Sequence, residues 1–470
     1  MLGFAAFEAV SFFAIPNPYI NGALALFLGV VLFLIALKRP TFAFSILISE
    51  LLIGSKGALF KFGSDALNHG GFSIRMIFFA AFLFGWIIWA IKRKTWKTWK
   101  TYVRSRWVFA ALAAMLIYAF VLGWFFHQRA FLISDANAWG FWLLLLPALD
   151  LAEHERDQFT RDLITVIFAG IGWLALQTVV FAFLFSHQLV AIGSRMYLWI
   201  RQSGLGEITK INDHAYRIFF QSQIYAVFGV IGMAVWAFFS HKRFRGFWIL
   251  FGFLAVEIFL SLSRSFWIGL VCGVFSSLIL TLCLQNRRRQ IVFRFISMTV
   301  ALFIGLTAVW GLFALPPNGN GQAFFSLFSS RVNLDEPAAQ SRWELLPVVW
   351  HKIFEHPFLG SGFGSTVNYQ SKDPRIIQQT GGTDTAYAIE WGWLEFWIKF
   401  GLLGIPLMLW VIFHLARGIW QSAFPVWFRI FGLSSITALA LIHIFTPYLN
   451  HPLGITVLIL GEAWIKKRPV

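Results

Sequence analysis

Long, uninterrupted apolar runs dominate this sequence and predict helices. A membrane-spanning strand alternates apolar and polar residues at every second position, whereas these runs are continuous. Most of them approach the roughly 20 apolar residues that a helix needs to cross a bilayer core of about 30 Å. The runs, about fourteen in all, lie at 2–15, 19–37, 41–53, 73–91, 107–126, 138–152, 162–185, 217–240, 247–262, 265–285, 295–315, 391–416, 427–446 and 453–465.

This pattern predicts an all-α, polytopic integral membrane protein with about 12–14 transmembrane helices, because the runs 2–15, 41–53 and 453–465 are short for a full span. Composition supports the prediction: 58% of residues are hydrophobic and only 13% are charged. The mean hydropathy of +0.70 is too high for a soluble protein of 470 residues.

Basic residues indicate the orientation of the spans. They cluster in short loops, which the positive-inside rule places in the cytoplasm, at 92–106, 242–245, 287–294 and 466–468. The other loops then face outward, at 54–72, 127–137, 186–216, 317–390 and 447–452. The net charge of +17 is therefore explained by topology, and we expect no nucleic-acid partner. Cys272 and Cys283 lie in an apolar run and indicate neither a disulfide framework nor a metal site.

The largest outward loop lies near the C-terminal end and suggests three parts. We predict transmembrane helices over 1–316, an extracytoplasmic loop subdomain over 317–390, and further transmembrane helices over 391–470. The loop begins with a turn-rich segment at 316–321.

The apolar stretch 247–285 is too long for one span. A single helix of that length would measure about 58 Å at 1.5 Å per residue. Since basic clusters flank both ends, the chain has to turn at the outer surface, and the only polar break is Leu262-Ser263-Arg264-Ser265. This places Arg264 at the outer mouth of a tight helical hairpin.

Five arginines are predicted at the outer face, where the positive-inside rule disfavours cations. A diphosphate would suit them, because a guanidinium binds phosphate oxygens through two parallel hydrogen bonds. The alternative is that each arginine anchors its own helix end. The five are Arg75, Arg217, which begins the span at 217, Arg264, Arg331 and Arg342.

The stretch 341–404 concentrates the remaining candidates. Ser341 and Glu344 form an S-x-x-E pattern, which predicts a helix start there. At about 100° per residue, Leu346, Val349 and Ile353 fall within about 40° of Arg342. Arg342 therefore points toward protein or lipid, and a snorkelling arginine on an interfacial helix is the alternative.

Three acids lie at or inside the apolar boundary, which makes each a functional candidate. Glu390 is best placed for a general base, where the outer loop re-enters the membrane. Glu257 lies inside a span, and Glu395 follows Glu390; the alternative is that Glu390 and Glu395 pair with neighbours such as Lys399.

The glycine-rich segment 360–364, centred on Gly362, would present backbone N–H groups to phosphate, although such turns are common. The sequence contains no G-x-x-x-x-G-K-[ST], H-E-x-x-H, C-x-x-C or G-x-S-x-G motif, so we expect neither cofactor nor metal.

Several of these segments together resemble the bacterial O-antigen ligase and O-antigen polymerase family. The resemblance covers roughly 250 to 410 in order and spacing, and Tyr216-Arg217 resembles the family's preceding arginine. Its segments are Leu262-Ser263-Arg264-Ser265-Phe266-Trp267-Ile268-Gly269, Ser341-Arg342-Trp343, 353–364 and 394–404.

The resemblance implies a metal-independent membrane glycosyltransferase whose donor is a glycan on undecaprenyl diphosphate. The acceptor would be a lipid A core sugar for a ligase or another lipid-linked repeat for a polymerase. Arg217, Arg264 and Arg342 would neutralise the diphosphate, with Glu390 as base. The site would lie on the outer side of the bacterial cytoplasmic membrane, among membrane lipids, with a chain-length regulator or flippase as protein partner.

One position departs from the ligase pattern. Ligases of this family typically carry histidine followed by a small polar residue, eleven positions before the first glycine of a closing G-x-x-G. Gly401 and Gly404 are that pair, and Glu390-Trp391 stands at the matching position. Polymerase and ligase therefore both stay open. A lipid-linked oligosaccharide flippase or transporter is the rival from another class, although two similar halves are not evident, and a scaffolding protein of the envelope is a third alternative.

Overall fold

The computed structural model describes residues 1–64, 70–239, 246–284, 288–316, 319–332, 337–370, 377 and 381–465. The structure is 79% helical, so the predicted all-α class is confirmed. The α-helices are α1 (Leu2–Ala14), α2 (Pro18–Lys38), α3 (Pro40–Gly54), α4 (Ile74–Arg93), α5 (Trp99–Ser105), α6 (Trp107–Phe126), α7 (Arg129–Trp139), α8 (Leu145–His154), α9 (Arg156–Ser186), α10 (Val190–Gln202), α11 (Ile224–Phe239), α12 (Phe247–Leu260), α13 (Arg264–Leu284), α14 (Arg288–Ala314), α15 (Gly321–Val332), α16 (Pro337–Glu355), α17 (Gly392–Phe400), α18 (Gly404–Gln421), α19 (Val426–Phe445) and α20 (Pro452–Trp464). Short 3₁₀ helices lie at Thr95–Thr98, Gly140–Leu144, Gln221–Gln223 and Tyr448–Asn450.

The chain is a multi-pass membrane protein. Within the described ranges, nine spans are long and apolar enough to cross a bilayer, or ten if α17 and α18 form one bent span. Four shorter apolar helices, α1, α3, α12 and α20, occupy the remaining predicted runs. The short length predicted for three of them is thereby confirmed; α12 is short because the chain breaks after Leu260.

The predicted break inside 247–285 is confirmed. Helix α12 ends at Leu260, α13 begins at Arg264, and Leu262 turns the chain with a φ of 48°. The two helices then contact each other little: α12 packs against α9 and α14, and α13 packs against α11. Gly252 of α12 and Gly305 of α14 permit a backbone approach that a Cβ at Gly305, 3.0 Å from the Gly252 carbonyl oxygen, would obstruct.

Three antiparallel hairpins interrupt the helices. They are β1–β2 (Lys61–Phe62 with Phe72–Ser73), β3–β4 (Glu207–Lys210 with Tyr216–Phe219) and β5–β6 (Val367–Gln370 with Thr383–Ala386). The second corrects the prediction that Arg217 begins a span. Arg217 lies in β4 opposite Thr209, because this part of the predicted span pairs with β3 instead, and the helix starts only at Ile224.

A second correction concerns the start of α16. The Ser341–Glu344 pattern predicts a helix start at Ser341, but α16 already begins at Pro337. Proline is favoured in the first helical turn, where its missing N–H is not needed. Pro347 is accommodated inside the same helix. Of the basic clusters used for orientation, 242–245 and 466–468 lie outside the described residues, so the predicted orientation stays a prediction.

By contacts, the described chain groups into two compact units: Met1–Lys97 with Leu149–Ser329, and Thr98–Ala148 with Ser330–Val470. The linear division at 316 and 390 stays a prediction. In the second unit, α16, β5 and α17 enclose a core to which β6 contributes Ala386 at the edge; its buried members are Leu345, Val349, Ile353, Val367, Ile389 and Ile398.

A sharp bend follows α17. The chain bends by about 120° between α17 and α18, and Gly401 between them has a φ of 69°. A Cβ there would stand 2.1 Å from the Phe358 carbonyl oxygen, so the first glycine of G-x-x-G is required by both conformation and space.

Candidate functional site

In the first unit, two predicted donor-binding arginines meet at the break between α12 and α13. Arg217 donates from Nε to the carbonyl oxygen of Ser261, the residue after α12, at 2.8 Å. Arg264, three residues on, is the first residue of α13 and is half-buried. A cation at a helix C-terminus is favourable because carbonyl groups concentrate negative charge there. Arg217 therefore anchors the end of α12, three residues before Arg264 begins α13.

Serines line the same break. The Ser263 N–H donates to Ser261 Oγ at 3.2 Å, and the hydroxyls of Ser263 and Ser265 lie 3.0 Å apart. Phe219 of the hairpin packs on Phe266, and the Arg217 guanidinium lies 4.5 Å from the Phe219 ring centroid. The Arg217 guanidinium, the serine cluster and Arg264 at the start of α13 make this break a suitable place for a phosphate group.

An ion pair between Lys56 and Glu207 holds the β3–β4 hairpin that carries Arg217. Burial favours a raised pKa for the Glu207 carboxyl, but Lys56, whose Nζ lies 3.1 Å away, outweighs this with help from Arg217 and Arg201. The pKa of Glu207 therefore lies below its usual range, and its charge faces Lys56 in the folded hairpin.

Arg75 is placed differently from the other candidates. Its Nε donates to Glu50 Oε2 at 2.8 Å and its Nη2 donates to Glu50 Oε1 at 3.3 Å. Both side chains are buried, and Gly57 packs against the guanidinium. This placement favours the helix-anchor alternative over the predicted contact with substrate.

Glu257 is fully buried in α12, one turn before the break. Neither carboxyl oxygen has a hydrogen-bond partner among the described residues. Unpaired buried carboxyl groups are costly, which marks Glu257 as unusual. Its backbone carbonyl accepts from the Ser261 N–H at 3.1 Å.

In the second unit, the structure brings together the two catalytic candidates of the outer loop. Arg342 on α16 donates from Nε to Glu390 Oε2 just before α17. The side chains are 35% and 53% exposed, so both remain open to a solute. Two groups are required to activate a hydroxyl beside an anionic leaving group. A carboxylate accepts the proton of the hydroxyl, and an adjacent cation stabilises the leaving group.

Trp391 connects the two segments that carry this pair. Its Nε1 donates to the carbonyl oxygen of Arg342 at 3.0 Å, which ties the start of α17 to α16. Its ring contacts Trp343 at a centroid distance of 5.4 Å and Phe445 at 5.6 Å. Packed aromatic side chains therefore hold the backbone beside Glu390 and Arg342 in place, although the side chains of these two residues are exposed.

The glycine-rich segment 360–364 is a packing element. Each of its five backbone N–H groups donates inside the protein, which argues against the predicted role of Gly362 in phosphate binding. Gly362 itself has a φ of 78°, and a Cβ there would stand 2.7 Å from Leu122 Cβ. The acceptors, in order, are the carbonyl oxygens of His356, Ile398, Lys399 and Ala119 and the carboxylate of Asp135.

Part of the C-terminal half of the chain matches the model of a known family. Residues 247–411 match the family described as O-antigen ligase. The O-antigen ligase domain begins with α12 and ends inside α18, so it covers roughly a third of the chain. The resemblance predicted over roughly 250 to 410 is thereby confirmed. The chain has no match among curated proteins.

The O-antigen ligase domain contains Arg264, Arg342 and Glu390, the three predicted catalytic residues. Arg75 and Arg217 lie before it. Arg331 lies within it, near the end of α15, and its side chain lies outside the described residues. Among the residues that the structure describes, no group of three or more His, Cys, Asp or Glu side chains is arranged to hold a metal ion.

One buried network was missed in the sequence. Lys399 donates to Asp135 Oδ1 at 2.5 Å and also to Glu395 one turn earlier on α17. Asp135 Oδ2 accepts from the Gly364 N–H at 2.8 Å. The network therefore joins α7, the glycine-rich segment and α17 of the O-antigen ligase domain. The sequence predicts pairing of Glu395 with Lys399 as the alternative to a catalytic role, and this pairing is confirmed. Asp135 was not predicted as part of a network, because in the sequence it is a lone acid between apolar runs.

Proposed function

We propose that this protein is a glycosyltransferase of the surface-polysaccharide pathway. It moves a glycan from an undecaprenyl-diphosphate carrier to a sugar hydroxyl at the outer face of the bacterial cytoplasmic membrane. The contact between Arg342 and Glu390 inside an O-antigen ligase domain supports this most strongly. In this contact an exposed carboxylate lies beside a cation, at two positions for which the family resemblance implies catalytic roles.

Glu390 acts as the general base. The acceptor hydroxyl oxygen attacks the anomeric carbon of the donor sugar while its proton passes to the Glu390 carboxylate. The bond from that carbon to the diphosphate oxygen breaks, and its electron pair leaves with the carrier diphosphate. Arg342 orients the carboxylate before the reaction and stabilises negative charge on the leaving group as it develops.

Arg264 and Arg217 bind the diphosphate. The support is their shared position at the α12–α13 break, together with the serine hydroxyls of that break. The planar guanidinium fork distinguishes this role from that of a general cation.

Polymerase and ligase are both served by this chemistry, since they differ only in the acceptor. Glu390 in place of the ligase histidine keeps a proton-accepting group at the position, so it permits either assignment.

The proposal is tested by deleting the chain from its host and following the lipid-linked glycan. We expect undecaprenyl-diphosphate glycan to accumulate at the outer face and to be consumed again when the wild-type chain, but not Arg264→Ala, is restored. Single repeats on the finished acceptor would identify a polymerase, and lipid-linked polymer without transfer would identify a ligase. Accumulation at the cytoplasmic face would instead support the flippase alternative.

The outward orientation has its own test. With Cys272 and Cys283 replaced by serine, a cysteine at the exposed Asn320 should react with a membrane-impermeant maleimide in intact cells, once any outer membrane is permeabilised. Reaction only after lysis of the inner membrane would contradict the orientation and the outer-face site.

A further inference from the structure

Helix α16 carries an aromatic stripe that stays largely exposed and that the proposed chemistry does not use. Trp343 is 63% exposed, Phe354 is 70% exposed and Trp350 between them is also exposed. At about 100° per residue, Trp350, Phe354 and the exposed Pro347 all lie within about 40° of Trp343. Adjacent exposed aromatic side chains of this size are unusual on a surface that faces water.

The other faces of α16 are already assigned. Leu345, Val349 and Ile353 form the buried face. A third face is polar and carries His351 and Glu355, the latter paired with Lys352 at 2.6 Å. Three faces of this kind, with buried, polar and exposed aromatic character, are typical of a helix that packs on protein and also lies along a bilayer surface.

The aromatic stripe continues into the apolar surface of membrane-spanning helices in the same unit. Phe358 and Leu359, which follow α16, line an apolar groove of about 580 Å³ whose other walls come from α6 and the bent pair α17–α18. The Tyr118 hydroxyl of α6 donates to the Leu359 carbonyl oxygen at 3.2 Å, which attaches this segment to a span. Helix α6 and the bent pair α17–α18 have the length and composition of spans.

We infer that the stripe Trp343–Trp350–Phe354 lies in the interfacial layer of the bilayer, with α16 roughly in the membrane plane. Tryptophan is favoured there because its ring is apolar and its N–H reaches polar headgroups. The polar face then contacts water. Since Arg342 is about 100° around the helix from Trp343, the Arg342–Glu390 pair lies at the depth of the lipid headgroups, where the diphosphate of a lipid-linked substrate would be.

This differs from the snorkelling alternative for Arg342. The residues in line with Arg342, Val349 and Ile353, are buried in protein, and the membrane-facing side is the one that carries Trp343. The inference concerns contact with phospholipid and does not require transfer activity.

A depth measurement tests it on the full chain in nanodiscs of phosphatidylethanolamine and phosphatidylglycerol. With both native cysteines replaced by serine, a nitroxide is attached at Phe354→Cys or, as a matched control one residue later, at Glu355→Cys. We expect the label at 354 to collide severalfold more often with oxygen, which concentrates in lipid, than with a water-soluble nickel chelate. The label at 355 should show the opposite preference.

Trp350→Cys repeats the test on the same stripe if Phe354→Cys does not fold. A stripe label that prefers the nickel chelate would place α16 in water and overturn the inference. A stripe label shielded from both agents would also overturn it, because protein, such as a second copy of this chain, would then cover the stripe.

Discussion

Two arginine–glutamate pairs show how burial separates an anchor from a candidate site. Arg75 and Glu50 form a two-pronged pair with side chains 6% and 1% exposed. Arg342 and Glu390 are joined by a single hydrogen bond, from Nε to Oε2, and their side chains are 35% and 53% exposed. From the sequence, both arginines were predicted to be outer-face cations, although the family resemblance implied a role only for Arg342.

The difference teaches that a charged pair stabilises or reacts according to its access to solvent. A buried pair that is fully hydrogen-bonded cannot admit a substrate, and the loss of one partner leaves a charge with no water to solvate it. An exposed pair contributes little to folding, since water competes with it. Its groups are available to a diphosphate or a hydroxyl instead.

The largest expected effect tests whether the exposed Arg342–Glu390 pair takes part in the reaction. Glu390→Gln keeps the shape of the side chain and removes the base, so turnover in a reconstituted transfer assay should fall about 10²–10⁴-fold. Binding of the lipid-linked donor should be nearly unchanged. Glu390→His should retain activity if this position matches the ligase histidine.

Glu355→Gln on α16 is the matched control, because this exposed acid also pairs with a cation. It should leave turnover unchanged. Wild-type turnover in Glu390→Gln would exclude Glu390 as the base and leave catalysis to leaving-group stabilisation by the arginines.

The next effect tests the buried pair as an anchor. Arg75→Met leaves Glu50 unpaired in the interior and should lower the free energy of unfolding by about 3–5 kcal/mol. The loss should appear as a lower melting temperature of the purified protein in detergent. Adding Glu50→Leu should recover much of it, since the unpaired charge is removed. An unchanged melting temperature with lost donor binding would instead restore Arg75 as a substrate ligand.

A smaller effect compares charge with geometry. Arg264→Lys and Arg342→Lys keep the positive charge but lose the planar fork. Losing one charge-assisted hydrogen bond of about 1.5–3 kcal/mol should slow transfer roughly 10- to 100-fold in each variant. Normal expression with full activity in both would mean that these arginines only anchor helices.

Local patterns predicted much of this fold from the sequence. Apolar runs located the helices, and the break before Arg264 followed from length and charge, because both are properties of consecutive residues. Two predictions, the start of α16 at Ser341 and a span that begins at Arg217, were wrong for the same reason. A capping pattern and an apolar run each permit more than one local structure. Tertiary pairing with β3 decided the second case.

The site was less accessible to such patterns. Arg342 and Glu390 were each selected, but their contact joins residues 48 positions apart and needed the structure. Asp135 lies 264 positions from Lys399, and nothing local distinguishes it. The glycine-rich segment predicts backbone freedom, yet only the fold shows that its N–H groups are already used.

The smallest expected effect completes the comparison. Arg342→Met removes the exposed pair but leaves Glu390 in water, so the free energy of unfolding should change by only about 0–1 kcal/mol. Transfer should nevertheless be impaired, because the carboxylate loses its orienting partner and the leaving group loses a cation. Thermal unfolding and turnover are measured on the same preparation, with Arg75→Met as the contrasting variant. A destabilisation as large as that of Arg75→Met would make Arg342 a structural anchor as well, and exposure would then fail to separate the two pairs.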